Sequence, residues 1–240
     1  MKLQTIFDQL TTGELSQLSF GGQEMSVIND RNYEKVVPHV NVALTALHSR
    51  FALRNRSLTL EVTPGKHEYL LDNAFAVGNT KSREAERYIL DTSDDPFEND
   101  VLKVEKVITE DDEVYRLNDG SRYAITTPSA NILKLPKTIP KDLQSDTLEV
   151  QYRANHPEIV IGLGYFDPAR VEVDLPYAYL QALCFYIASR VHNPMGMQQD
   201  FNAGNNFYAK YENECQILEA KGLYIDAGHN TDRFQRGGWV

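Results

Sequence analysis

Residues 37–62 read VPHVNVALTALHSRFALRNRSLTLEV, and the period of their apolar positions changes partway along. From Val37 through Val40, Leu44, Leu47 and Phe51 the apolar residues recur at spacings of three and four, one face of a helix. From Asn55 the spacing becomes two: Leu58, Leu60 and Val62 alternate with polar residues, as in a strand with one buried face. The helix is expected over about 31–53, capped by Asp30 or Asn32, with Pro38 either bending it or marking its first turn. A long helix followed directly by strands makes the chain mixed α+β.

The pattern extends in both directions. Upstream, TIFDQL places Ile6, Phe7 and Leu10 on one side of a helix, and Thr12 reads as the cap of a second helix carrying Leu15 and Leu18. Downstream, TPGK at 63–66 has a type II turn sequence and predicts that HEYLL returns as the second strand of a hairpin. Residues 79–90 fit helix and strand equally. VLKVEKVIT at 101–109, VYRL after the EDDE turn, NILKLP and TLEVQYRA complete a set of short strands, with NDG as a further turn. Helical spacing resumes after Asp174, the expected cap, and Pro176 in the first turn. Tyr179 or Leu180, Leu183, Ile187 and Val191 form one stripe; Phe207 or Tyr208, Tyr211, Cys215 and Leu218 form the last. Lys221 and Gly222 end that helix. The expected architecture is a helical bundle from residues 1–55 and 166–222, a β-rich hairpin insertion over 56–165, and an extended arm over 223–240.

Composition limits the function. The chain has 240 residues, a formal charge of −10, and 24% charged residues. An acidic surface is the wrong sign for gripping phosphates. No apolar run is long enough to span a bilayer, and MKLQTIFDQLTTGEL lacks the apolar core and cleavage site of a signal peptide, so synthesis in the cytoplasm is expected. Cys184 and Cys215 are too few for a disulfide framework and read as buried thiols.

A search for chemistry returns only faint patterns. His39, His48, His67, His156, His192 and His229 have no metal-binding spacing, and neither cysteine belongs to a CxxC pair. GLGYFD at 162–167 lacks the third glycine of a dinucleotide loop. The acidic stretch DTSDDPFEND could supply calcium ligands from Asp91, Asp94, Asp95 and Asp100, but it has neither EF-hand spacing nor its glycine, and solvated loops are the simpler reading. No catalytic, cofactor-binding or metal-binding residue is expected.

The order of segments carries more information. LQTIFDQLTTGELSQLSF precedes VVPHVNVALTALHSRFAL, then LTLEVTPGKHEYLL, VLKVEKVITEDDEVYRLND, TPSANILKLP and LEVQYRA. The C-terminal half has VDLPYAYLQALCFYIASRVHNP and NFYAKYENECQILEAKGL. Over nearly its whole length this order resembles the head-to-tail adaptor proteins of tailed bacteriophages, also called connector or head-completion proteins. The resemblance implies a virion structural protein without an active site, assembled as a ring of about twelve copies at the capsid–tail junction. The implied partners are the portal protein, a tail nozzle or tail-tube protein, and tail fibres. DNA would pass through the central channel without sequence-specific binding, and no membrane is involved.

Two other readings compete: a virion-associated glycosidase acting on cell walls with carboxylates of the β region, and a carbohydrate- or fibre-docking module formed by the insertion. The end of the chain, HNTDRFQRGGWV, places its single tryptophan next to the last residue. Tyr224, Ile225, Arg233, Phe234, Arg236 and Trp239 are of the types that dominate protein interfaces, and they are the expected portal-docking residues. The alternative is that this segment covers a gap in the subunit's own core.

Overall fold

The computed structural model describes residues 1–16, 28, 32–138, 144–162, 166–192 and 198–222, with backbone alone for 198–201. Among these residues it contains four α-helices and seven strands. They are α1 (Leu3–Thr12), α2 (Tyr33–Arg50), β1 (Asn55–Glu61), β2 (Glu68–Leu70), β3 (Ile89–Leu90), β4 (Val101–Thr109), β5 (Thr126–Ser129), β6 (Ile132–Lys134), β7 (Thr147–Ala154), α3 (Leu180–His192) and α4 (Gln198–Ala220). The chain divides into two compact units, one from 1–53 with 156–240 and the other from Arg54 to Asn155.

The first unit is organised by α3. Ala182, Leu183, Cys184, Tyr186, Ile187, Ala188, Ser189 and Val191 are all buried, so this helix is enclosed nearly all round. α4 packs on it most extensively, then α2, then α1. α1 contributes Leu3, Ile6, Phe7 and Leu10, and α2 contributes Val36, Val37, Val40, Ala43, Leu44 and Leu47 to the same core. Non-helical residues complete it: Leu15, Ile159, Val173 and Leu175. The start of the chain pairs with the segment before α3, through a Lys2–Glu172 bridge and the bonds Leu3 N–H to Val171 O (3.0 Å) and Val173 N–H to Met1 O (2.7 Å).

The expected helical bundle of N- and C-terminal segments is therefore corrected. The chain is mixed α+β, with four helices and seven antiparallel strands in two sheets among the described residues, and not a helical bundle carrying an insertion. A bundle helix keeps a polar face for water. α3 has almost none, because its neighbours and irregular segments surround it. Its stripe of apolar spacing was real, but Ala182, Cys184, Ala188 and Ser189 fill the other sides with small residues that spacing does not flag.

Local expectations were corrected as well. Thr12 is the last residue of α1, its hydroxyl donating to Asp8 O at 2.8 Å, and the second helix expected after it falls largely outside the described residues. Asp174 is not the cap of α3, which begins at Leu180 after a short 3-10 turn over Tyr177–Tyr179. Pro38 lies inside α2, where its missing N–H leaves one turn without its hydrogen bond. At the far end, Gly222 adopts φ +62° and terminates α4 as expected.

The second unit holds two antiparallel sheets, ordered β3-β1-β7-β4 and β2-β6-β5. β1 and β7 pair over their lengths, from Asn55↔Arg153 to Glu61↔Thr147. Both sheets bury one cluster, including Leu58, Leu60, Val150 and Tyr152 from the first and Tyr69 and Leu133 from the second. β1 and β2 do not form a hairpin. Thr63–Lys66 does turn, with Gly65 at φ +83° and Lys66 N–H donating to Thr63 O, but the chain then enters the other sheet. β1 already has neighbours on both sides, so no edge is left for β2.

The ambiguous stretch 79–90 is neither helix nor strand until Ile89. It winds around Arg87, whose guanidinium donates to the carbonyls of Ala74 (3.0 Å), Ala76 (3.3 Å), Asn79 (3.1 Å) and Ser82 (2.9 Å). β4 is an edge strand whose register shifts twice, between Val101 and Lys103 and between Val104 and Lys106. The second shift explains why Val104 and Val107 are both buried although strict alternation puts them on opposite faces. Bulges and lysines together discourage another strand from adding there.

Candidate interaction surface

The expected docking residues Tyr224, Ile225, Arg233, Phe234, Arg236 and Trp239 all lie outside the described residues, as does His229. The described surface nearest to them in sequence is that of α4, and it has three distinct sides.

The inner side is a narrow stripe. Gly204, Tyr211, Cys215 and Leu218 are buried against α3, at helical spacings. Arg50 at the end of α2 fixes this helix from the flank, donating to Glu219 and Glu212 at 2.7 Å each. The guanidinium holds the Glu212 carboxyl below the usual carboxylate range. Burial pushes the Cys215 thiol up to about 11 and moves Cys184 upward too, so both are packing groups with little thiolate character.

Beside this stripe, aromatic rings gather where α3 and α4 meet. Tyr186 meets Tyr211 edge-on at 4.9 Å, Tyr208 lies 5.8 Å from Tyr211, and His192 stacks on Phe207 at 5.2 Å. Two cations cover them. Arg190 sits 5.2 Å over Tyr186 and donates to its phenol oxygen at 3.0 Å, while Lys210 lies 4.9 Å over Phe207. Tyr208 remains 46% exposed. Such rings and cations are common at interfaces, but here most of their contacts are already made within the subunit.

The outer side of α4 is the most unusual. Asn202, Asn206, Ala209, Asn213, Gln216 and Ala220 are all exposed, at successive spacings of four, three, four, three and four. That is the period of a two-helix seam. None of the six carries a charge. From Asn202 onward the helix does carry Lys210, Glu212, Glu214 and Glu219, and all four fall off this line. A solvated helix face is ordinarily where charge is densest, whereas the centre of a protein interface is where it is depleted.

The other expected chemistry resolves differently. In the acidic loop, Asp95 pairs with Arg56; Glu98 lies 3.1 Å from Arg56 and 3.4 Å from Arg54; Asp100 lies 3.1 Å from Arg56 and 3.3 Å from Arg54 and accepts from the Tyr152 hydroxyl at 3.0 Å. Asp91 accepts from the N–H groups of Gly78 (2.6 Å) and Phe97 (3.2 Å). These carboxylates organise the loop, and among the described residues no group of three or more His, Cys, Asp or Glu is arranged to hold a metal ion. No described helix is long and apolar enough to cross a membrane.

One pairing is not visible in the sequence. His48 on α2 and His156 meet edge-to-face at 5.7 Å, both buried. His156 Nε2 accepts from Asp174 N–H at 3.1 Å, and Nδ1 faces Pro157 O at 2.6 Å, which fixes the ring as the neutral Nδ1–H tautomer. Its partners place it as a structural link between the segments before α3.

Comparison of the chain with models of protein families gives no match, and comparison with curated proteins gives no significant one.

Proposed function

We propose that this chain is a structural assembly protein, the repeating subunit of a ring adaptor that joins the portal vertex of a tailed-phage capsid to the tail. The observation that carries the reading is the outer side of α4: a helix of 23 residues, about 34 Å long, whose exposed centre line is free of charge. A chain with 24% charged residues has the means to solvate that line and does not use them. Such a surface serves packing against protein. The order of sequence segments, which resembles the head-to-tail adaptors, supplies the setting in which the packing occurs.

The net charge of −10 supports the same reading. Copies repeated around a channel form an acidic wall, along which DNA slides because little phosphate neutralisation is offered. In this proposal the C-terminal segment reaches the portal through Phe234 and Trp239, helped by Tyr224, Ile225, Arg233 and Arg236, and a tail-tube protein and fibres attach on the opposite side. The setting is the virion; cytoplasmic synthesis in a bacterial host precedes it.

The test is a native mass measurement of the purified chain alone and with the portal protein of the same virus. The expected outcome is a complex in which several copies join one portal ring. A portal that binds no copies at any ratio rejects the adaptor reading. Removing residues 229–240 should leave a folded subunit that no longer joins the portal; loss of folding would instead assign that segment to the subunit's own core.

A further inference from the structure

We propose that a cleft in the second unit, between the loop over residues 72–84 and Asn99, binds a hydroxyl-rich saccharide. The site does not rest on the adaptor reading, since all of its residues belong to the unit between Arg54 and Asn155.

The cleft has a volume of about 390 Å³, within the range of small-molecule sites. Asp72, Asn79, Lys81, Arg83, Glu84 and Asn99 supply most of its polar groups. The loop has little regular secondary structure, and side chains hold it instead. The Asn73 carboxamide donates to Phe97 O, and Asn79 Nδ2 donates to Asn73 Oδ1 at 2.6 Å. Ser82 Oγ donates to Ala74 O at 2.6 Å and accepts from Glu84 N–H at 3.2 Å. Arg87 binds four carbonyls of the same loop. Walls fixed in this way lose little further freedom when a ligand arrives. Asn99 completes the frame from a left-handed backbone, φ +60°, with its Oδ1 accepting from Asn73 N–H. Backbones of that kind are often kept at ligand clamps. The frame uses only one end of two of these groups. Asn99 Nδ2 has no hydrogen-bond partner among the described residues, and neither has Asp72 Oδ2, whose companion oxygen accepts from Ala74 N–H at 2.8 Å.

The charges in the cleft select the ligand. Lys81 and Arg83 line it together with Asp72 and Glu84, yet none of the four is in an ion pair among the described residues. Arg83 is also the one described arginine that has no hydrogen bond, ion pair or ring contact. A simple anion entering the cleft meets two carboxylates, and a simple cation meets two cations. A hydroxyl group both donates and accepts, so it can join a carboxylate to an amide or a guanidinium. A sugar ring carries such hydroxyls on adjacent carbons, where the planar groups of Asp72, Arg83 and Asn99 can take them in pairs. The described lining contains no aromatic ring, and ligand bonds here replace bonds to water. A dissociation constant of about 1 mM is therefore expected for one sugar unit.

The experiment is an NMR titration of the isotope-labelled full chain. The probes are glucose, galactose, mannose and N-acetylglucosamine, each alone, with sodium phosphate and tetramethylammonium chloride as charged comparisons. At least one sugar should move the amide signals of Asn79, Lys81 and Asn99 in a saturating manner, and neither charged probe should. Two variants change only the groups left open to a ligand. Asn99→Asp keeps the acceptor for Asn73 N–H and a residue type that tolerates the left-handed backbone; Asp72→Asn keeps the acceptor for Ala74 N–H. Each should raise the dissociation constant about tenfold while thermal melting stays at the wild-type value. Absence of shifts at these residues with all four sugars at about 0.1 M overturns the proposal. Binding that both variants leave unaltered places the sugar elsewhere and also overturns it. Larger shifts with phosphate or tetramethylammonium than with any sugar would make the cleft an ion site, which overturns it equally. None of these results bears on the adaptor reading, which stands or falls on portal binding.

Discussion

Asn41 and Ile159, separated by 118 positions, are joined by two hydrogen bonds of 3.0 Å running in opposite directions. The carboxamide donates to the Ile159 carbonyl and accepts from its N–H, as a neighbouring strand would. A helix cannot pair its own backbone with an extended segment, because its N–H and C=O groups are already used. One side chain on α2 performs that pairing and presents Val160 at the surface. Asn41→Ala should cost about 2 kcal/mol, close to two ordinary hydrogen bonds with little apolar loss. Asn41→Asp should do no better, since it places a carboxylate against the Ile159 carbonyl. Urea denaturation of each variant checks this, and a change below about 0.5 kcal/mol would show that solvent replaces the clamp at no cost.

Arg56 is only 13% exposed in its side chain, and its guanidinium meets Asp95, Glu98 and Asp100, the last with a side chain 7% exposed. Arg56→Met keeps the aliphatic stem but strands the Asp100 carboxylate with Arg54 alone. A loss of about 2–3 kcal/mol is expected, below the full effect of breaking a buried pair because Arg54 remains. Arg56→Met with Asp100→Asn should recover part of it. A double variant no more stable than the single one would show that the charge of Asp100 is not the source of the loss.

Acid should weaken the first unit in two stages. Burial, aided by the Arg190 charge, lowers the His39 pKa from 6.5. Above pH 6.5 the imidazole is neutral in both folded and unfolded chains, and its contribution is complete. As pH falls below 6.5 the unfolded chain takes up a proton that the folded one resists, so stability declines until the folded group also protonates. His39→Gln should flatten the pH dependence in that range. The Glu212 carboxyl, lowered from 4.5 by Arg50, adds a second decline at lower pH. That second stage should shrink in Arg50→Met while the first persists, the remainder coming from the Tyr208 hydrogen bond to Glu212 and from Glu172 beside Lys2. Stability curves that coincide for wild type and His39→Gln between neutral pH and pH 5 would exclude the first assignment.

Cys184 and Cys215 should resist thiol reagents in the folded state. Both are fully buried and both thiols are shifted upward by burial, so access and thiolate content are low together. Labelling at neutral pH should follow unfolding, with two sites modified per chain once denaturant is added. Fast modification of one cysteine under native conditions would reveal an opening of the α3–α4 contact short of full unfolding.

The residues show why part of this structure was readable and part was not. The change of period at Asn55 marked the junction of α2 and β1, because apolar spacing responds directly to which side faces the core. TLEVQYRA alternates strictly, and β7 buries every second residue along its length. What failed were the expectations about which elements pair and pack together. TPGK specifies a turn, but turn chemistry is local and says nothing of which sheet the next strand enters. Asp174 and Thr12 are good capping types, but Asp174 lies ahead of the 3-10 turn that precedes α3 and Thr12 closes α1. Enclosure of α3 depends on small residues that carry no periodic signal. The charge-free side of α4 could have been read by subtraction: Tyr211, Cys215 and Leu218 identified the inner side of the helix, and it lies opposite them. A search tuned to apolar residues passes over asparagine and alanine.

The antiparallel pairing of β1 with β7 has one more consequence. Because Asn55 lies opposite Arg153, and Ala154 N–H donates to Arg54 O at 2.8 Å, the second unit is entered and left by neighbouring strands, about 5 Å apart. A gap of that width is closed by a residue or two. The unit is thus a cassette with its ends pinned together. Gene rearrangements could exchange, enlarge or delete it while the chain on either side rejoins in register, so descendants of this protein are free to differ most between positions 54 and 155.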